Sequence, residues 1–196
     1  VSIPAKHTVM IRAEEGPDVT FIEGRYSQTN TAGRLGIDAV RCVKITGEGS
    51  YVKGFTIRNG ATSSNQNLQA FGGGCIQGGT AIDCNIYGGA SNERGNNAYN
   101  TTCIGCYLHS AAGGAEARTA YDCNCYNCVA SGMVYAVGIM VNSSFFGYAG
   151  PMGRGSTNRI RLYNCYLAGS QQKNIDFNNA QAETGSKLKT LSGTTI

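Results

Sequence analysis

A six-residue pattern recurs along this chain, and few folds can accommodate it. It appears in Val52–Ile57, Ala81–Ile86, Cys103–Leu108, Cys125–Ala130, Val141–Phe146 and Leu162–Leu167, which align without gaps. The first, fourth and sixth positions are apolar or Cys, with Ser144 the single exception, and the third is always Gly, Asp, Asn or Ser. Positions four and six share one face of a strand, because side chains alternate with a period of two. Position one is out of phase with them, so the chain must bend in between. Gly, Asp, Asn and Ser supply that bend, since they tolerate left-handed backbone or bond their own main chain. Each segment therefore reads as strand, corner, strand, with three side chains pointing inward. That is one side of a rung in a parallel β-helix.

The fourth positions are 29, 22, 22, 16 and 21 residues apart. Stacked repeats of roughly 20–45 residues suit such a solenoid. The step of 29 implies an insert, and the polar stretch Ala61–Phe71 fits it. The step of 16 is short, so either that rung is tightened or the register at Val141–Phe146 is shifted. Upstream, Val9–Ile11, Val19–Ile22 and Val40–Ile45 read as earlier strands, separated by turns at Gly16-Pro17-Asp18 and Gly47-Glu48-Gly49. The pattern predicts an all-β solenoid of about six to eight rungs over residues 1–177. Residues 178–196 are polar and read as a cap or tail. The chain opens on Val1-Ser2-Ile3-Pro4 and is expected to be a mature product or a fragment.

Composition removes the competing classes. Gly is 28 of 196 residues but lacks the every-third-residue period of collagen. The chain is 41% hydrophobic and only 14% charged, the reverse of a disordered segment. The net charge of +4 is scattered, which argues against nucleic acid as a partner. No apolar run approaches the roughly 18 residues of a membrane span.

Nine cysteines are present. Cys103-x-x-Cys106 and Cys125-x-x-Cys128 resemble zinc knuckles. The repeat gives them another role, because stacked rungs place equivalent residues about 4.8 Å apart. Cys84, Cys106, Cys128 and Cys165 then form one interior ladder, and Cys103 and Cys125 a second. No metal is expected there. Stacked neighbours fall within reach of disulfides, and buried free thiols are equally consistent. Mostly free thiols are favoured, because Cys alternates with Ala, Val, Leu and Phe at equivalent sites.

Val52-Lys-Gly54-Phe55-Thr56-Ile57-Arg58-Asn59-Gly60, then Gly72-Gly73-Gly74, then Asp83-Cys84-Asn85-Ile86, resembles the pectate-lyase-like right-handed parallel β-helix superfamily. It is similar in particular to large bacterial surface or secreted proteins of that fold. Gly16–Gly24 and Ala39–Val43 match the early rungs, and the resemblance covers roughly residues 8–170. It implies the fold and an extracellular or cell-surface location. It does not choose a function, since the superfamily holds lyases, hydrolases, esterases, adhesins and phage tail spikes.

The residues that such enzymes would need are incomplete. Of a pectin hydrolase's set, only Asn174-Ile175-Asp176 is present, without an Asp-Asp or a Gly-His-Gly. A lyase would use Ca²⁺ held by clustered carboxylates and a base. The nearest grouping is Glu116, Arg118 and Asp122, with His109 about one rung earlier. Apart from that calcium, no cofactor is expected. Asp176–Ala180 matches one esterase motif alone, and neither Gly-x-Ser-x-Gly nor a phosphate loop occurs.

The remaining signal is the outward face. The fifth position carries Tyr107, Phe145 and Tyr166, with Thr56, Asn85 and Val129. The second position adds Tyr126 and Tyr163. An exposed aromatic stripe points to a partner; these rings suit a sugar face or a second chain, and cover by the chain's own loops is the competing expectation. The sequence thus predicts a non-catalytic structural or adhesive protein that binds polysaccharide or glycan. The alternatives are a lyase or hydrolase with unplaced active residues, and a filament or tail-spike-like trimer that self-associates end to end or side by side.

Overall fold

The structure is a computed structural model that describes residues 1–29, 35–62, 73–90, 96–109, 118–121, 123–131, 133–135, 138–146, 160–168, 175–178, 180–184 and 187–191. Among them all regular structure is β, and it forms three sheets. The first holds β1 (Ser2–Ile3), β4 (Val43–Ile45), β7 (Ile76–Gln77), β10 (Asn96–Tyr99), β13 (Arg118–Tyr121) and β16 (Met133–Tyr135). The second holds β2 (Met10–Arg12), β5 (Tyr51–Lys53), β8 (Thr80–Ile82), β11 (Thr102–Ile104), β14 (Asn124–Tyr126), β17 (Gly138–Val141), β19 (Ile160–Tyr163) and β21 (Ile175–Asn178). The third holds β3 (Phe21–Glu23), β6 (Thr56–Arg58), β9 (Asn85–Tyr87), β12 (Tyr107–Leu108), β15 (Val129–Ser131), β18 (Ser144–Phe146), β20 (Tyr166–Ala168), β22 (Ala180–Thr184) and β23 (Lys187–Leu191).

From β1 to β18 the chain visits the first, second and third sheets in strict rotation. Each strand of one triplet pairs in parallel with its counterpart in the next, whereas β22–β23 and the isolated bridge Arg25–Val40 are antiparallel. This rotation is what the six-residue pattern encodes. Position one lies in the second sheet, positions five and six in the third, and the corner between them at positions three and four.

In-register pairing aligns the inward side chains. Val52, Ala81, Cys103, Cys125, Met140 and Leu162 stack in the second sheet. Ile57, Ile86, Leu108, Ala130 and Phe145 stack in the third. Val43, Ile76, Ala98 and Ala120 stack in the first. All of these are buried and belong to one core cluster. The cost of ordering such short strands is met by this shared core, since a lone two- or three-residue strand is not stable.

Every third-position residue has left-handed backbone. The φ angles are +76° at Gly54, +49° at Asp83, +63° at Gly105, +53° at Asn127, +49° at Asn142 and +49° at Asn164. Asn142, not Ser143, is therefore the fifth corner. The segment runs Met140–Phe145, one residue earlier than the sequence predicts. The correction reverses two phenylalanines: Phe145 is buried at 1% exposure, and Phe146 is the outward one at 43%. The physical reason is that Asn adopts the left-handed conformation more readily than Ser.

Position four has a hydrogen-bonding role. Cys106 Sγ donates to Ala81 O (3.4 Å) and Ile104 O (3.5 Å). Cys128 Sγ donates to Cys103 O and Tyr126 O, both at 3.3 Å. Cys165 Sγ donates to Met140 O and Tyr163 O, also at 3.3 Å. Ser143 Oγ repeats this with Val141 O (2.8 Å) and Cys125 O (3.4 Å). All nine cysteines are free thiols, and all are buried. The apparent zinc knuckles are thus pairs of buried inward positions, of which Cys106 and Cys128 bond main-chain carbonyls.

The backbones at Gly60 and Gly74 approach each other closely where the chain leaves the third sheet. A Cβ on Gly60 would meet Gly74 O at 2.0 Å and Cys42 Sγ at 2.7 Å, so no side chain fits there. Nearby, Cys42 Sγ donates to Arg58 O (3.0 Å) and Cys75 Sγ to Tyr87 O (3.1 Å).

Candidate functional site

The outward face of the third sheet carries two in-register rows. One contains Phe21, Thr56, Asn85, Tyr107, Val129, Ser144 and Tyr166. The other contains Glu23, Arg58 and Tyr87, and then Ser131, Phe146 and Ala168. His109 sits between Tyr87 and Ser131 along that second row, held by its N–H bond to Ile86 O at 2.9 Å. These positions face outward because the alternate residues Ile57, Ile86, Leu108 and Phe145 face the core.

The side chains on this face form two groups. The Arg58 guanidinium lies 4.6 Å from the Phe21 ring centroid and donates to Tyr87 Oη at 3.2 Å. Tyr87 and His109 rings are 5.4 Å apart and near perpendicular, and His109 and Tyr107 are 4.1 Å apart in the same manner. Further along, Phe146 and Tyr166 rings are 5.7 Å apart. Phe21, Tyr107 and Phe146 are the exposed members, at 47%, 38% and 43%.

Charge on this face is internally balanced. Arg58 pairs with Glu23 at 3.2 Å, and Asn59 Nδ2 donates to Glu23 Oε1 at 2.9 Å. The Asn59 bond, then Arg58, holds the Glu23 carboxyl below its usual range. Burial lowers the His109 pKa, so the ring is neutral near pH 7 and offers both a donor and an acceptor. Beneath it, buried Asn97 accepts Gly89 N–H at 2.6 Å and donates to Ile86 O at 3.4 Å and to His109 O. The backbone carrying His109 is therefore anchored.

The sequence-predicted residues divide. Tyr107, Tyr166 and His109 lie on this face. Phe145 does not, for the register reason above. Thr56 does not present its side chain either: it is buried, and its hydroxyl donates to Pro17 O at 2.6 Å. Tyr126 and Tyr163 are on the outward row of the second sheet with Ile82, Ile104 and Val141. Glu116 and Asp122 lie outside the described residues. Arg118 begins β13 in the first sheet, whereas His109 follows β12 in the third, so the backbone puts them in different sheets. Among the described residues no group of three His, Cys, Asp or Glu is arranged to hold a metal.

Sequence reasoning missed Phe21, Arg58, Tyr87 and Phe146. The signal was there, since three of them fall two residues beyond the fifth position, on the same face of the strand. No protein-family model, curated protein or solved structure matches this chain.

Proposed function

We propose that this chain is a non-catalytic, extracellular structural or adhesive protein that binds carbohydrate on the outward face of its third sheet. The three-sheet rotation is read here as a right-handed parallel β-helix of the pectate-lyase-like type, with each triplet one rung. The observation that carries the functional reading is the cluster Phe21–Arg58–Tyr87–His109–Tyr107, together with the pair Phe146–Tyr166. Aromatic rings with polar tips, on a charge-balanced surface, suit the mixed apolar and hydroxyl surface of a sugar. Strand pairing and Asn97 anchor the backbone that carries the rings, and edge contacts hold Tyr87, His109 and Tyr107 against one another, which limits the ordering cost on binding.

Glycan-array screening of the protein, followed by titration of the best ligand, tests this. Tyr107→Ala with Tyr166→Ala should weaken binding by about tenfold or more, the loss of one or two stacking contacts. Unchanged glycan binding together with an unchanged assembly state overturns the reading. An altered assembly state with no glycan ligand would instead assign the face to a second copy of the chain.

A further inference from the structure

A groove of about 420 Å³ opens where the first sheet hands the chain to the second, across three successive corners. Small-molecule sites span about 300–1,000 Å³, so the volume suits a ligand of one or two rings. The corners follow β4, β7 and β10 and are formed by Gly47–Ser50, Gly78–Gly79 and Asn100. Gly78 and Gly79 have φ of +73° and +62°. A Cβ on Gly79 would meet Ile45 Cγ2 at 2.4 Å, and one on Gly78 would meet Ile45 O at 2.1 Å. These glycines keep the middle corner bare of side-chain bulk.

The polar side chains around the groove fall into two sets. Thr46 and Ser50 are committed: their hydroxyls donate to Ile3 O (3.0 Å) and His7 O (3.1 Å). Lys44, Glu48, Gln77, Thr80 and Asn100 are not, since their side chains have no hydrogen-bond or ion-pair partner among the described residues. Gln77 Oε1 is moreover buried, and a buried acceptor without a donor is costly. The open groups comprise one ammonium, one carboxylate, two amides and a hydroxyl. Their charges cancel, which disfavours a polyanion or a cation. Donors and acceptors are both on offer, which suits a ligand with many hydroxyls.

We infer that this groove binds a neutral, hydroxyl-rich saccharide of one or two hexose units. The inference shares its ligand class with the proposed function but uses a different surface.

The test titrates the whole chain with cellobiose, maltose, mannobiose and chitobiose by calorimetry. In parallel, acetylation of Lys44 is followed by mass spectrometry, with exposed Lys6 as the internal control. At least one disaccharide should bind and slow Lys44 acetylation while leaving Lys6 unaffected. Gln77→Leu combined with Thr80→Val should weaken that binding by about tenfold, the loss of one or two ligand hydrogen bonds, at an unchanged melting temperature. Tyr107→Ala with Tyr166→Ala should leave it intact. If none of the four disaccharides protects Lys44, the inference is wrong. It is equally wrong if binding persists in the groove variant, or is lost only in the third-sheet variant, which would assign the ligand to the aromatic face. Should the groove variant melt early, Lys44 protection in the unaltered protein decides.

Discussion

Ser143 Oγ accepts the backbone N–H of Cys128 at 3.1 Å, across one strand triplet, in the position where its counterparts carry a thiol. The same relation recurs along the ladder, with the backbone at Phe55, Cys106 and Ser143 facing the sulfurs of Cys84, Cys128 and Cys165. A left-handed residue just before position four turns the chain, so the position-four N–H finds its acceptor in a side chain. Cys and Ser are small enough to pack inside and can both accept that bond and donate to carbonyls.

Removing this acceptor therefore exposes a buried donor. Ser143→Ala should cost about 1–3 kcal/mol, the penalty of an unsatisfied buried N–H. Ser143→Cys should cost less, because a thiol fills the same role at Cys128 and Cys165. Equilibrium urea unfolding of the two variants checks the order, and equal losses would contradict the hydrogen-bonding account of the ladder.

The corner residues give a separate prediction. Asn127 holds φ +53° at an exposed bend. Asn127→Ala should destabilise by about 1–2 kcal/mol through left-handed strain, whereas Asn127→Gly should be nearly neutral. Gly105→Ala places a Cβ 2.5 Å from Asp83 Oδ1. That carboxylate can swing aside, at the expense of an exposed ion pair with Lys53. The loss at Gly105 should therefore match the strain at Asn127 rather than exceed it. Thermal melts of the three variants make the comparison.

The sequence made the repeat legible because inward alternation and a left-handed corner coincide at each segment, joined at every segment after the first, where Phe55 stands, by a small donor at position four. It failed at Val141–Phe146 because two of these pulled apart. Ser143 looks like a corner residue, yet it occupies the thiol position, and Asn142 before it takes the bend. The third-sheet surface was only half legible. Tyr107 and Tyr166 follow from position five, but nothing local says that Thr56 is covered by the chain around Pro17, or that Arg58 bridges Phe21 and Tyr87. Cys42, Cys75 and Cys123 carry no six-residue signature, because they serve the first sheet or its exit, where the pattern does not reach.

Thiol chemistry distinguishes the ladder from a set of bridges. All nine cysteines are free and buried, out of reach of a reagent in the native fold; burial raises the thiol pKa at Cys75 and Cys165, whereas hydrogen bonding to Cys106 lowers it at Cys84 and Cys128. A thiol-specific reagent should thus react with none of them quickly in the native protein, and with nine after denaturation without reductant. Fewer than nine in the denatured, unreduced protein would reveal disulfides. Rapid reaction in the native state would mean that the core opens locally.

His109 makes stability depend on pH in a defined direction. It is flanked by Tyr87 and Tyr107, and burial lowers its pKa below the ordinary 6.5. Between the folded and unfolded values the unfolded chain binds the proton more readily. The contribution of His109 to stability is therefore complete above about pH 6.5 and falls as pH drops through the folded value. Melting temperature should decline on acidification from pH 7 to pH 5, and His109→Gln should flatten that part of the profile. Carboxylates such as Glu23 and Asp38, whose pKa values are held low by hydrogen bonds, act in a separate and more acidic window. If the slope between pH 7 and pH 5 survives in His109→Gln, the ring is not the titrating group and its packing against the two tyrosines does not control its charge.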